Sequence, residues 1–107
     1  MTQSNCIFCK IISHEIETEI VKESNSVIVF RDQNPSAEKH FLVVPKVHIA
    51  NFMELTDKEL IWEMDEVMRD LISGTNSDKE GYKVLFNGGS YQHVPHVHWH
   101  LLVGKLL

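Results

Sequence analysis

Hydrophobic and polar positions change period several times along the chain, and each change marks an element. Leu60, Met64, Val67, Met68 and Leu71 fall at i, i+4, i+7, i+8 and i+11, one apolar face of a helix. Thr56-Asp57-Lys58-Glu59 before them has the form of a capping box, in which the Thr hydroxyl and the Glu carboxylate satisfy each other's free backbone N–H groups. Gly74 and the polar Thr75-Asn76-Ser77-Asp78 stretch end the pattern in a loop, so a helix is predicted over about 57–73. Four runs rich in β-branched and aromatic residues predict strands: Val27-Ile28-Val29-Phe30, Phe41-Leu42-Val43-Val44, Tyr82 to Phe86, and Val97 to Leu101. Ile20-Val21, ahead of the polar turn Lys22-Glu23-Ser24-Asn25, predicts a short fifth strand paired with 27–32. A short helix near 5–12 would turn Ile7, Phe8, Ile11 and Ile12 toward the sheet. The expected class is α+β, a mostly antiparallel sheet of about five strands with one long and one short helix.

Composition narrows the function classes. The 107 residues suffice for one domain, 1–107, with a single core, and no repeat or linker divides them. The net charge of −5 comes from 10 Lys+Arg against 15 Asp+Glu with no basic run, so nucleic acid is not an expected partner. No apolar stretch approaches the ~20 residues of a membrane span, and Met1-Thr2-Gln3-Ser4-Asn5 lacks the basic start and apolar body of a signal peptide. The expectation is a cytoplasmic protein, away from membranes, whose two cysteines stay reduced.

The histidines carry the chemistry. His93, His96, His98 and His100 are four of the seven in the chain, and on a strand the last three share one face while Val97, Trp99 and Leu101 take the other. A lone strand histidine is usually an ordinary exposed or hydrogen-bonded polar residue; three in strict alternation behind an apolar face point to a site. Zinc is one reading, but residues i and i+4 of a strand lie ~13 Å apart, so two neighbours plus a third ligand from elsewhere would be needed, as in three-His zinc hydrolases. Nucleophilic catalysis is the other. A neutral imidazole, pKa near ~6.5, can attack phosphorus or acyl carbon while its neighbours donate hydrogen bonds to the oxyanions.

His96-Val97-His98-Trp99-His100-Leu101-Leu102 matches the His-x-His-x-His-x-x motif, x apolar, and through it the chain resembles the histidine triad (HIT) family of nucleotide hydrolases and transferases. Cys6-Ile7-Phe8-Cys9-Lys10-Ile11-Ile12, Phe30-Arg31-Asp32-Gln33-Asn34-Pro35, the segment from His40 through Pro45-Lys46-Val47-His48, and Asn87-Gly88-Gly89 stand in the order and spacing of the Hint branch. The resemblance covers nearly the whole chain and implies a HIT-like fold. It makes His98 the nucleophile that attacks the α-phosphate of a purine nucleoside phosphoramidate, giving a nucleotidyl-histidine that water hydrolyses. His100 would donate to phosphate oxygens, His96 would support the nucleophile, and His40 would pack behind the triad. Asp32 would accept from the ribose 2′ and 3′ hydroxyls, although an Asp before Asn34-Pro35 also reads as a turn residue. Asn87 matches a phosphate-side Asn, and Gln92 a Gln four residues before the first triad His. His93 stands where relatives carry a Ser or Thr that assists the leaving group.

By themselves Cys6 and Cys9 read equally as two small buried apolar residues. The resemblance pairs them with His48 and His96 in a closed Cys₂His₂ zinc set, structural and not required in the chemical step. It also implies a homodimer whose two sheets join, with which an exposed Trp62 and Phe52 would agree. The Asn-Gly-Gly-Ser loop is shorter than in Hint relatives, Pro95 replaces a bulkier residue, and the chain stops at Leu107, soon after Gly104. A Fhit-like dinucleoside polyphosphate hydrolase, a nucleotide-binding interaction protein with little turnover, and a His-liganded zinc hydrolase stand as the other readings.

Overall fold

A computed structural model describes residues 5–107. Helix α1 (Ile7–Ile12) is followed by strands β1 (Ile20–Glu23), β2 (Val27–Arg31) and β3 (Ala37–Pro45), helices α2 (Lys58–Gly74) and α3 (Ser77–Glu80), and strands β4 (Tyr82–Leu85) and β5 (Trp99–Leu106). Single 3₁₀ turns lie at Phe52–Glu54 and Gly89–Tyr91. The five strands form one sheet in the order β1-β2-β3-β5-β4, and every neighbouring pair is antiparallel.

Period-two alternation sorts the central strands onto two faces. Val27, Val29, Phe41, Val43, Leu101 and Val103 pack against Leu60, Met64, Val67, Met68 and Leu71 of α2, the predicted helical stripe. Ile28, Phe30, Leu42 and Val44 point the other way, under Phe8, Cys9 and Ile11 of α1. Both faces are covered near β2 and β3, which explains why those strands read as unbroken apolar runs.

Four local expectations need correction. The cap of α2 is Asp57, whose Oδ1 accepts from the N–H groups of Glu59 at 3.0 Å and Leu60 at 3.3 Å. A carboxylate one residue nearer the helix displaces the Thr56–Glu59 box, and its charge also suits the positive helix end. Ile7 is 41% exposed: it opens α1 at the rim of the cavity described below, while Phe8, Cys9 and Ile11 are buried. The stretch after Gly74 holds the short helix α3, anchored by the buried Ser77 hydroxyl on the carbonyl of Ile72 at 3.2 Å. Finally, β5 starts at Trp99, so His96, Val97 and His98 lie in the extended segment before it. Their alternation survives: Val97 joins the α2 side, while Phe8 of α1 meets the rings of His96 and His98.

Candidate active site

A cavity of about 690 Å³ opens on the α1 face of the sheet. In sheet order its floor runs from Asp32 after β2, through His40 on β3 and His98 and His100 at β5, to Lys83 and Leu85 on the edge strand β4; Asn87 and His93 complete the rim. Phe8, Ile11 and Phe30 form an apolar wall at the Asp32 end. Gln92 is not part of this lining: its amide donates to the carbonyls of Ala50 at 2.6 Å and Val94 at 2.9 Å and so holds the loop that carries His93. Asp32 is a turn residue that also lines the cavity. Its Oδ1 accepts from the Asn34 N–H at 2.9 Å, as a turn Asp does, while Oδ2 lies 3.5 Å from His40 Nε2.

Backbone partners assign the histidine tautomers. His98 Nδ1 is 2.7 Å from the carbonyl oxygen of His96. A carbonyl only accepts, so the proton is on Nδ1 and Nε2 holds the lone pair. The Ser36 N–H donates to His40 Nδ1 at 3.0 Å, which leaves the His40 proton on Nε2, and that atom is 2.8 Å from His100 Nδ1. His100 must therefore carry its own proton on Nε2, a buried nitrogen with no partner. The site thus offers one basic nitrogen, on His98, and one unused donor, on His100. Burial lowers the pKa values of His40 and His98, and that of His100 to about 4 with help from repulsion by His98 and His40, so these rings are neutral at pH 7.

Beneath α1, Cys6, Cys9, His48 and His96 bring one donor atom each to within 4.8 Å of one another. His96 Nε2 donates to the Pro45 carbonyl at 2.8 Å, so its Nδ1 lone pair faces the sulfurs. That nitrogen lies 3.4 Å from Cys6 Sγ and 3.6 Å from Cys9 Sγ, and His48 Nδ1 is 3.3 Å from Cys9 Sγ. Tetrahedral zinc with bonds of ~2.3 Å to sulfur and ~2.1 Å to nitrogen sets S···N separations of ~3.6 Å, so the cluster is compatible with zinc. The Pro45 carbonyl supplies the outer hydrogen bond that metal-bound imidazoles have. Burial raises the Cys6 thiol pKa, an effect a bound cation would reverse. Asp32, His40 and His100 also gather donor atoms within 4.8 Å, but there the His40 proton lies between the two nitrogens.

The triad is therefore split. His96 faces the cysteines, while His98 and His100 face the cavity, a division that strand alternation alone does not disclose. Sequence reasoning missed the backbone groups that orient the rings, the Ser36 N–H and the Pro45 and His96 carbonyls, because main-chain atoms leave no signature in a sequence. It also missed Lys83, which the alternation of the run 82–86 would have placed on the imidazole face.

A family model described as "Scavenger mRNA decapping enzyme C-term binding" matches residues 5–106. The chain is 36% identical over 112 residues to adenosine 5′-monophosphoramidase HNT1 of Candida albicans, covering 97% of this chain and 73% of that protein. Among solved structures, a histidine triad protein of Clostridium difficile matches with a TM-score of 0.91 at 38% identity, covering 100% of this chain and 96% of that one. A HIT family hydrolase of Legionella pneumophila matches at 0.89 and 37%, covering 94% of each chain. With three alternating histidines leading into β5 of a five-stranded sheet and likeness running through nearly its full length, the chain belongs to the histidine triad family, in the Hint branch, and is a hydrolase of that family.

Proposed function

We propose that the protein hydrolyses nucleoside 5′-phosphoramidates, with His98 as the nucleophile. The observation that carries this reading is the tautomer pattern: a lone pair on His98 Nε2 beside an unpartnered N–H on His100. In the first step Nε2 forms a bond to the α-phosphorus and the P–N bond breaks. Its electron pair goes to the leaving nitrogen, which takes up a proton from His93 or from water in the cavity. The resulting nucleotidyl-imidazolium is cationic, and the His96 carbonyl on Nδ1–H stabilises that charge. In the second step a water oxygen attacks phosphorus, the N–P bond returns its pair to Nε2, the water proton passes to solvent and a nucleoside monophosphate is released.

His100 Nε2–H donates to a phosphate oxygen, and His40 holds it in that tautomer. Asn87 donates on the phosphate side, and Asp32 accepts from the ribose diol with a purine against Phe8, Ile11 and Phe30. Gln92 serves the nucleotide through the loop it fixes. Cys6, Cys9, His48 and His96 would hold zinc, which supplies a structural cross-link: four protein donors leave no position for substrate. Exposed Phe52, Trp62, Val84 and Phe86 support a homodimer, with Phe52 and Phe86 stacked at 4.5 Å as part of the surface for a second copy.

The test is hydrolysis of adenosine 5′-phosphoramidate by the wild type and by His98→Ala, each with and without a chelator. Turnover that disappears in His98→Ala and survives chelation of folded protein supports the reading. Turnover that survives His98→Ala overturns it.

A further inference from the structure

Beyond the nucleoside side, the cavity continues past the triad to the edge strand, and its electrostatics change along the way. Asp32 marks one end, and Lys83 the other, with His40 and His100 on the two strands between. Lys83 is paired with Leu102 and Leu85 with His100, so both side chains share the face of His100. One strand across and two residues along place the Lys83 and His100 Cα atoms ~8 Å apart, within reach of a lysine stem. Lys83 forms no ion pair among the described residues. Arg31, the other cation at the cavity, has its guanidinium 5.2 Å over the Phe41 ring on the opposite face of the sheet. In a chain of net charge −5, the cavity end that receives the departing group therefore carries an unpaired cation.

We propose that Lys83 determines leaving-group specificity by pairing with a carboxylate on the departing amine, so that the preferred substrates are nucleoside phosphoramidates of amino acids with a free carboxylate. This rests on the hydrolysis at His98 set out above. One ammonium matches one carboxylate. A pyrophosphate, with about three negative charges, would want several donors or a bidentate Arg, and Lys83 is the one lysine or arginine on that side. Leu85, two residues along the same face of β4, lines that end and suits an aliphatic side chain on the amine.

The experiment compares kcat/KM for adenosine 5′-phosphoramidates of alanine and of alanine amide, which differ in one charge, in the wild type, Lys83→Met, Lys83→Arg and Lys83→Glu. We expect the wild type to favour the carboxylate by about two- to fivefold. The preference should persist in Lys83→Arg, fall to about one in Lys83→Met and invert in Lys83→Glu. Calorimetric binding of the two intact conjugates to His98→Ala protein, with and without Lys83→Met, reads the same ratio without turnover. The subsite is thus judged even if the hydrolytic reading fails. A wild-type ratio near one, a ratio unmoved by Lys83→Met, or faster release of pyrophosphate from ATP than of alanine from its conjugate overturns the assignment.

Discussion

Acid should weaken this fold through His100. Its pKa falls from the ordinary value of 6.5 to about 4, chiefly because burial penalises the charged ring. Between those values the unfolded chain binds a proton that the folded chain does not. The contribution of neutral His100 is therefore complete above pH ~6.5 and is lost as pH falls toward ~4. The difference of 6.5 minus 4, at ~1.4 kcal/mol per unit, sets an upper bound of ~3.5 kcal/mol. His100 is only partly buried and lines the cavity, so solvent should screen the charge and leave roughly half, ~1.5–2 kcal/mol. Urea unfolding of the wild type and of His100→Gln at pH 7 and pH 4.5 checks this. Glutamine does not titrate, and groups remote from His100, the cysteines among them, protonate alike in both proteins and cancel. The wild type should lose ~1–2 kcal/mol more than the variant over that interval. Equal losses would refute both the low pKa and the neutral relay from Ser36 through His40.

Three further outcomes follow from the same contacts. Cys9→Ser should lower both the bound zinc measured by atomic absorption and the thermal midpoint, since binding free energy in a closed four-donor site is folding free energy. Asp57→Ala should cost ~1 kcal/mol in urea unfolding, while Thr56→Ala should stay within ~0.5 kcal/mol, because the structure caps α2 through Asp57. His40→Ala frees the His100 tautomer and should reduce kcat by ~10- to 100-fold with a smaller change in KM; an equal rise in KM instead would assign His40 to ground-state binding.

The parts of the fold that were legible in the sequence are those governed by local period. The stripe from Leu60 to Leu71 meets the sheet as its spacing demands, and strands around 27–30 and 41–44 form the middle of the sheet. Local chemistry misled where two residues compete for one role, as Thr56 and Asp57 do at the cap, and where a helix is too short for a stripe to be read, as at Ile7.

By itself, the sequence determined that three histidines would alternate behind Val97, Trp99 and Leu101, because side chains on extended backbone point to opposite faces in turn. It also determined that the chain carries no basic run for a polyanion. Only the tertiary structure decided what each imidazole faces. Cys6 meets His96 across 90 positions of chain, and His40 meets His100 across 60, separations over which sequence spacing carries no geometric information. Which ring nitrogen is protonated depends on whether a backbone carbonyl or N–H faces it, and those groups are chemically alike at nearly every residue until the chain has folded around them.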